Sequence, residues 1–535
     1  MSTAPRFPFA DLLHSPLELA RTLGHDAKDG AESEAVGEIC SQARRYCSKH
    51  VDSGAIDARG ALGAELLDDA RRLGWFGLTI PEVYGGAGLS MKGAARVVVE
   101  LTAGNGSLGT CVGLHSGLAL YCLIHLANPA LRERYLPEVA AGLRIASFAA
   151  TEPSAGSDLT AMRTTLREQD GRLLLSGSKC YVTNGGICGL VTVVAKSPGL
   201  GGARAGHTAV AVDPAWPGVT RQREEKKLGL KGSSTLTIDF DDVQVPHDHI
   251  LGEPSKGMEH AHRALTWGRT FMAAGCLGAA QAALCEARAH TAERVQFGKP
   301  LAQLPLVRQQ TVVALADVFA SETVIRLVCD LEDRLAADIA LPSTVAKIYG
   351  SEASWNVVDR SLQLMGGTGY MEEAGVARRL RDVRVTRIFE GANDVLRLHL
   401  GSSVLSFKSD ELIRLPALSC HVPTAIAPHA ARFDEVMAEL GGRLSDIRAK
   451  YAYRLFSQQS LQSKMADAMV MAYVWLAVLL RWWGGLDTGP QDAREAALAE
   501  LASRRLHTQT RRALARLADP EAPDVEPLAA RVLGE

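Results

Sequence analysis

The chain has 535 residues, more than one hydrophobic core usually supports, so about two to four domains are expected. Hydrophobic residues make up 47% of it and charged residues 22%, a balance typical of soluble globular proteins. The formal net charge of −2, without blocks of like charge, argues against nucleic acid as a partner.

The cysteines and the N-terminal stretch indicate the compartment. Ten cysteines are scattered without a CxxC pair, which is typical of reduced thiols in a cytosolic protein and not of a disulfide framework or a zinc site. The stretch MSTAPRFPFADLLHSPLELARTLG lacks the basic start and apolar core of a signal peptide. The longest apolar run, Ala468 to Leu480, is shorter than the roughly 20 residues that cross a bilayer. We therefore expect a cytoplasmic protein without a metal site.

Sequence texture divides the first half of the chain in two. Residues 1–145 predict an N-terminal α-helical domain, because apolar residues such as Leu62, Leu66 and Leu73 recur at helical spacing. Residues 146–255 contain short β-branched segments such as LVTVVAK and HTAVAVD between turns, which predicts an antiparallel β domain. No helical pattern separates these strands, so a Rossmann unit is disfavoured.

Helical patterns return in the second half. Residues 256–405 predict a four-helix bundle, with helices over Ala261–Ala292, Leu306–Ala337, Ser343–Met365 and Val376–Ser403. The proline-containing residues 406–432 predict a linker, and residues 433–535 an extra helical domain. The predicted fold class is therefore α+β, with helical, β, helical and additional helical parts in that order.

One carboxylate stands out in the stretch RIFEGANDVLRLHL. Glu390 lies at the start of an apolar run that otherwise reads as a helix entering a core. A buried carboxylate costs free energy unless it is paired or has a task. On these residues alone, a catalytic base and a helix-start carboxylate favoured by the helix dipole are equally acceptable.

Two polar turns flank the start and middle of the predicted β domain. They are SFAATEPSAGSD, from Ser147 to Asp158, and KCYVTNGG, from Lys179 to Gly186. Taken singly, they are a surface turn with capping hydroxyls and a plain hairpin end. Taken together, they offer hydrogen-bond donors and one aromatic face, Tyr181, to a flat polar ring.

These segments, with ERVQFGKPL, QLMGGTGY and RIFEGANDVLRL, occur in the order and spacing of the acyl-CoA dehydrogenase family. The chain resembles that family over residues 50–405, and its helical tail resembles the very-long-chain branch. The resemblance implies an acyl-CoA dehydrogenase-like fold that holds FAD between the β domain and the C-terminal helices.

The resemblance also implies which residues contact the cofactor. Those facing the flavin would be Phe148, Ala150, Thr151, Ser157, Tyr181 and Thr183. Those reaching the FAD of a neighbouring subunit would be Arg294, Gln296, Phe297, Gln363, Gly366, Gly367, Ala392 and Asp394. Ala392 departs from the family, which commonly has a threonine there, and Asn393 and Asp394 are expected to compensate.

Glu390 matches the family's catalytic base, which removes a proton α to a thioester carbonyl. Some members carry the base on another helix, at the position of Gly268 here, so Glu390 is the one candidate. The acyl-CoA site would involve Ser157, Arg269, Phe389 and Gly391. Gly113 and Gly117 either leave space for a long acyl chain or allow close helix packing.

The expected function is FAD-dependent conversion of a long-chain or bulky acyl-CoA to the trans-2-enoyl-CoA in fatty acid β-oxidation. The expected partners are an electron-transfer flavoprotein and a second copy of the chain in a homodimer. Three alternatives stay open: an unusual acyl-CoA or acyl-carrier-protein substrate in secondary metabolism, a flavin-dependent acyl oxidase, and a non-catalytic assembly protein. Trp482 and Trp483, beside Arg481, suit either a core helix or peripheral contact of the C-terminal domain with a membrane.

Overall fold

A computed structural model describes residue 20 and residues 30–202, 206–335, 338–407, 417–487 and 492–518. The chain forms two compact units. The large unit is Ala27–Ala392, and the small unit combines Met1–Asp26 with Asn393–Glu535.

The large unit begins with short helices around buried Trp75 and Phe76. They are α1 Gly30–His50, α2 Ser53–Arg59, α3 Ala64–Arg72, α4 Met91–Gly104, α5 Gly106–Leu114, α6 Leu120–Leu126 and α7 Pro129–Ala140. Asn105 caps α5 by accepting from the Leu108 amide, which fixes where this helix begins. Between α5 and α6, residues His115–Ala119 form a π-helical turn, so the two helices make one buried run with an irregular centre.

An eight-stranded sheet follows, in the order β6-β7-β3-β2-β4-β5-β8, with β1 beside β4. The strands are β1 Ile145–Ala149, β2 Thr165–Gln169, β3 Arg172–Thr183, β4 Cys188–Lys196, β5 His207–Val212, β6 Val219–Arg221, β7 Thr235–Val245 and β8 Ile250–Leu251. The expectation of a purely antiparallel domain needs one correction, because β1 runs parallel to β4 and β2 pairs with β4 in parallel at one position. The parallel β1 brings the SFAATEPSAGSD segment beside the long strand β3.

Three long and two short helices complete the described part of the large unit. They are α8 Gly257–Glu293, α9 Pro305–Leu335, α10 Ala340–Met365, α11 Gly367–Tyr370 and α12 Gly375–Arg384, and a small hairpin of β9 Val295–Gln296 and β10 Lys299–Pro300 joins α8 to α9. The predicted helix Val376–Ser403 is not continuous. It stops at Arg384, and the chain passes through a 3₁₀ turn and a loop before a new helix begins at Asn393.

The small unit is helical in its described residues. Its helices are α13 Asn393–Ser403, α14 Ala427–Tyr451, α15 Gln459–Asp487 and α16 Ala493–Ala518. Helix α14 begins inside the stretch 406–432 that was predicted as a linker. Residues 408–416 of that stretch lie outside the described residues.

Helix α15 decides the question raised by its two tryptophans. Trp482 and Trp483 are 7% and 4% exposed, Trp482 stacks edge-on against His429, and Arg481 pairs with Glu495. Both tryptophans are therefore buried as the core-helix alternative expects, and a membrane contact of the C-terminal domain stays a prediction. Two runs, Gly106–Leu126 and Gln459–Leu486, are long and apolar enough to cross a bilayer, but 83% and 78% of their apolar windows are buried in the protein.

Candidate active site

Glu390 lies in the loop that interrupts the predicted last helix of the bundle. Its φ is 56°, and Gly391 follows with a φ of 95°. A left-handed backbone is uncommon for glutamate and clusters at functional sites, since the surrounding structure has to hold it in place. The break in the helix is therefore what turns this carboxylate away from a regular helix face.

The Glu390 carboxylate is held in a confined space. Its Oε2 is buried and has no hydrogen-bond partner among the described residues. A Cβ at Gly268 of α8 would lie 2.8 Å from Oε2, so a glycine at 268 is what leaves room for the acid. Burial raises the pKa of Glu390 to about 7, against the opposing charges of Arg269 and Lys347. A carboxylate in this state can accept a proton near neutral pH.

Two cations from neighbouring helices bind the two backbone carbonyls that follow the side chain of this base. Arg269 Nε donates to the Glu390 carbonyl at 3.2 Å, and its Nη1 donates to Thr344 Oγ1 at 3.3 Å. Lys347 Nζ, on α10, donates to the Gly391 carbonyl at 2.7 Å. Burial lowers the pKa of both cations, that of Lys347 to about 8. The loop is thus held in place by hydrogen bonds from these two cations to its carbonyl groups.

A narrow, mostly apolar cavity begins beside the base at Phe389 and runs along α8. It offers about 50 Å³ of space to water-sized groups, and its lining includes Phe389, Leu114, Phe271, Gly113, Gly275 and Ala279. The α8 residues in this lining run from Phe271 to Ala279, over which the helix advances about 12 Å at 1.5 Å per residue. The cavity therefore begins at Phe389, next to the base in the chain, and follows α8 for about two turns.

The two glycines singled out in the sequence have different roles. Gly113 lines the cavity, and a Cβ there would lie 3.2 Å from Val98. Gly117 does not line the cavity, and a Cβ there would lie 2.7 Å from the Phe271 ring. Gly117 thus serves close packing of the helical run against α8, whereas Gly113 also shapes the cavity.

The structure brings the two polar turns together on the sheet. The Cys180 amide donates to the Thr151 carbonyl at 2.9 Å, and the Ser147 hydroxyl donates to the Thr183 carbonyl. Beneath them, Lys179 is fully buried and donates to the Ala150 carbonyl at 2.9 Å and to Glu152 Oε1 at 2.8 Å. This ion pair ties the first turn to strand β3.

The surface formed by these turns suits a flavin. The hydroxyls of Thr151, Ser157 and Thr183 make no hydrogen bond to any other described residue. Tyr181 is 66% exposed and has a φ of 56°, so its ring stands out from the strand. Phe148 is partly buried against the helices and Ala150 is buried, so they offer apolar contact and main chain. Hydroxyls of this kind can donate hydrogen bonds to the edge of a flavin ring, and an exposed aromatic ring can pack against its face.

The helical run Gly106–Leu126 joins the flavin-side surface to the base. Asn184 Nδ2 donates to the Cys111 carbonyl at 3.0 Å. The Ala146 amide donates to His115 Nδ1, and the opposite ring nitrogen, which therefore carries the proton, donates to the Phe76 carbonyl, each at 2.9 Å. Leu118, a turn further on, borders Gly268. Both halves of the predicted site therefore flank one run.

Other predicted residues lie apart from this centre. Arg294, Gln296 and Phe297 are exposed in and beside the β9–β10 hairpin, with Phe297 87% exposed and at a φ of 53°. Gln363, Gly366 and Gly367 are exposed where α10 ends. Their contact with the FAD of a neighbouring subunit stays a prediction.

The residues after Gly391 divide between the units. Ala392, partly buried, ends the large unit. Asp394, in the small unit, has a side chain that is 98% exposed and lies 3.7 Å from Arg397. Its role towards FAD also stays a prediction.

The sequence did not predict several buried polar residues that contact the backbone of the site or line its cavity. Lys347, Lys179 with Glu152, and the buried hydroxyl of Thr102 in the cavity were not predicted. A lysine among small and apolar residues, as in STVAKIYG, is a signal that could have marked Lys347.

Comparisons with known proteins agree with this geometry. Three family models match the chain. They are the acyl-CoA dehydrogenase N-terminal domain over residues 33–143, the middle domain over 147–243 and the C-terminal domain over 255–405. An acyl-CoA dehydrogenase of Bacillus subtilis (strain 168) is 34% identical over 64% of this chain and 89% of its own length. The chain belongs to the acyl-CoA dehydrogenase family, with the family's fold of helical N- and C-terminal domains around a β-sheet.

Within the family, the very-long-chain relatives match a larger share of the chain. The human mitochondrial very-long-chain specific acyl-CoA dehydrogenase is 34% identical over 71% of this chain. The match covers only 59% of that relative's length. The crystal structure of an acyl-CoA dehydrogenase complexed with FAD from Bacillus anthracis has a TM-score of 0.83 and 24% identity, covering 96% of this chain and 92% of its own, additional C-terminal helices included.

Proposed function

We propose that this chain is an FAD-dependent dehydrogenase of acyl-CoA thioesters that forms a trans-2-enoyl-CoA. The observation that carries the proposal is the Glu390 carboxylate, buried beside an apolar cavity, without a partner at Oε2 and with a pKa raised to about 7. A merely structural helix-start carboxylate would accept hydrogen bonds from amides there, which Oε2 does not.

The chain's own residues would act on the α-carbon of the thioester. Glu390 takes the α-proton onto Oε2, and the electron pair left behind becomes the new carbon–carbon double bond as the β-hydrogen departs with its pair. Bound FAD supplies the acceptor for that hydride. Arg269 and the wall at Gly268 keep the carboxylate facing the substrate, and the apolar cavity excludes water from the acyl chain.

Several residues are placed to hold the cofactor. Thr151, Ser157 and Thr183 would donate to the ring edge, and Tyr181 would cover a ring face. A second copy would contribute Arg294, Gln296, Phe297 and the α10 end, and the exposure of Val295, Phe297 and Tyr370 supports an interface there. This arrangement makes the homodimer the active form, with an electron-transfer flavoprotein as the acceptor of the electrons.

The cavity supports a long acyl chain as the substrate. Its length along α8, about 12 Å, exceeds what a butanoyl-sized group would fill, and glycines in its wall leave room beside the chain. We therefore place the chain in the oxidation of long-chain fatty acyl-CoA.

The test is to purify the protein with FAD and titrate it anaerobically with acyl-CoA thioesters of graded length. Flavin bleaching should be largest with long chains such as hexadecanoyl-CoA and weak with butanoyl-CoA. A protein that holds FAD but bleaches with no thioester would be a non-catalytic assembly protein. Rapid reoxidation of the bleached protein by air would indicate an oxidase.

One observation favours a second candidate, an unusual acyl group that carries a polar substituent. Thr102 is 7% exposed and lines the cavity, and its Oγ1 has no hydrogen-bond partner among the described residues. An unpaired hydroxyl in an apolar cavity costs free energy that a hydroxyl or oxo group on the acyl chain would offset.

Thr102→Val tests this candidate, since it removes the hydroxyl at nearly constant volume. The substrates are hexadecanoyl-CoA thioesters that each carry one hydroxyl, at a different chain position in each. One of them should have a kcat/KM about tenfold above that of plain hexadecanoyl-CoA. The preference should vanish in Thr102→Val. Equal kcat/KM for all members in both proteins would restrict the function to plain acyl chains.

A further inference from the structure

Two consecutive carbonyl groups beside the catalytic base are each bound by a cation from a different helix, a partly buried arginine and a fully buried lysine. Arg269 of α8 binds the Glu390 carbonyl at 3.2 Å, and Lys347 of α10 binds the Gly391 carbonyl at 2.7 Å. Thr344, one helical turn before Lys347, accepts from the same Arg269 guanidinium at 3.3 Å. The two helices thus meet at the loop through one small polar cluster.

A lysine is a costly donor for a backbone carbonyl oxygen. Lys347 has no exposed surface, and burying an ammonium carries a desolvation penalty well above that of a neutral donor. A neutral amide or hydroxyl would satisfy the same carbonyl at a lower cost. The position therefore makes use of the positive charge as well as the hydrogen bond.

We infer that Lys347 is a positioning residue for the dehydrogenation: by holding the Gly391 carbonyl it keeps the strained loop in the one conformation that aims Glu390 at the α-carbon, and its charge favours the ionised carboxylate. This inference rests on the proposed role of Glu390 as the base. The left-handed φ values of Glu390 and Gly391 would relax without such restraints, since this backbone is unfavourable for glutamate.

The charge effect has a defined sign. Glu390 faces two charged groups, Arg269 and Lys347, and both favour its carboxylate form. Lys347 itself faces Cys276, Glu390, Arg269 and Glu352. Removal of the Lys347 charge leaves burial and Arg269 acting on Glu390, so the pKa of Glu390 rises and a higher pH is needed to ionise the base.

Two variants separate the hydrogen bond from the charge. Lys347→Gln keeps a donor for the Gly391 carbonyl and loses the charge, whereas Lys347→Met loses both. Ser361→Ala is the matched control, since Ser361 is buried on the same helix and its hydroxyl donates to the Val357 carbonyl of that helix at 2.7 Å. All are compared with wild type as holoenzymes.

The first readout is the rate of flavin bleaching by hexadecanoyl-CoA from pH 5.5 to pH 9.5. The second is independent of turnover: the titration of the Glu390 carboxyl in the substrate-free holoenzyme, from carboxylate bands in infrared difference spectra against Glu390→Gln. Both Lys347 variants should move the acid midpoint upwards by about one pH unit in both readouts. Lys347→Met should also lower the plateau rate by about 10–100-fold, whereas Lys347→Gln should keep most of it.

The outcomes are distinguishable. Unchanged midpoints and plateau rates in Lys347→Met, with wild type active, would overturn the positioning role and leave the proposed function intact. Loss of FAD or of the folded state in both Lys347 variants would show a merely structural lysine and would also overturn it. A wild-type holoprotein that bleaches with no thioester would instead remove the proposed function.

Discussion

The candidate site has a base side and a cofactor side, and a single chain encloses the first much more fully than the second. The base side is internal: Glu390 is confined by Gly268, and its backbone is bound by Arg269 and Lys347. The cofactor side is open, with Tyr181 66% and Phe297 87% exposed. Burial raises the pKa of Glu390 on the base side, whereas the open side presents exposed side chains.

This difference teaches where each kind of control resides. Residues of α8 and α10 in a single chain set the pKa of Glu390 and the orientation of its carboxylate. Both properties should therefore be the same in a monomer and in a dimer. On the proposed function, cofactor retention would depend on residues that are exposed in the single chain and that FAD and a second copy would cover. Substitutions on the two sides should therefore separate chemistry from cofactor binding.

The largest effect is expected from Glu390→Gln, which removes the base at constant shape. Bleaching by hexadecanoyl-CoA should slow by about a thousandfold or more, because general-base catalysis contributes about 10²–10⁴ in rate. The visible flavin spectrum and FAD content should equal those of wild type. Normal bleaching would show that another group takes the proton.

Arg294→Ala should affect the open side alone. Without this guanidinium the FAD dissociation constant should rise about 10–100-fold, since a charge-assisted contact to a phosphate is lost. Isothermal titration of apoprotein with FAD measures it. The pH midpoint of bleaching at saturating FAD should stay at the wild-type value, and a moved midpoint would contradict the separation of the two sides.

Gly268→Ala should affect the base side alone. The new Cβ would lie 2.8 Å from Glu390 Oε2, too close for both groups to stay in place. We expect kcat to fall about tenfold while FAD affinity is unchanged. Gly37→Ala is the control, because a Cβ there meets no heavy atom within 4 Å. Equal kcat in both variants would show that Glu390 is not confined as described.

The smallest effect concerns stability against pH. Because burial raises the pKa of Glu390 from 4.5 to about 7, folding favours its protonated form, and stability is lost as pH rises through about 7. Glu390→Gln removes this loss. Its apoprotein should melt about 2 °C above wild-type apoprotein at pH 8.5 and level with it at pH 5. A difference that is the same at both pH values would contradict the raised pKa.

Much of the fold follows from local patterns in the sequence. The predicted helix Ser343–Met365 is observed as Ala340–Met365, because its apolar positions repeat at helical spacing and Gly366 ends it. The break after Arg384 was missed, since the residues on both sides have helical patterns and only long-range bonds hold the loop open.

The supporting contacts of the site could not be read from local patterns. Arg269 and Glu390 are 121 residues apart in the chain, and Lys347 and Gly391 are 44 apart. The burial of Trp482 and Trp483 depends equally on distant partners such as His429. Such pairings arise from tertiary packing, so the family resemblance identified the base but not the residues that hold it.

The central claim is that Glu390 removes the α-proton of an acyl thioester. The most direct measurement is deuterium incorporation at C2 of hexadecanoyl-CoA, incubated anaerobically with the holoenzyme in D₂O and recovered for mass spectrometry. The account predicts C2 deuterium in unreacted thioester from wild type and only the uncatalysed background from Glu390→Gln. Equal incorporation by the two proteins would contradict it.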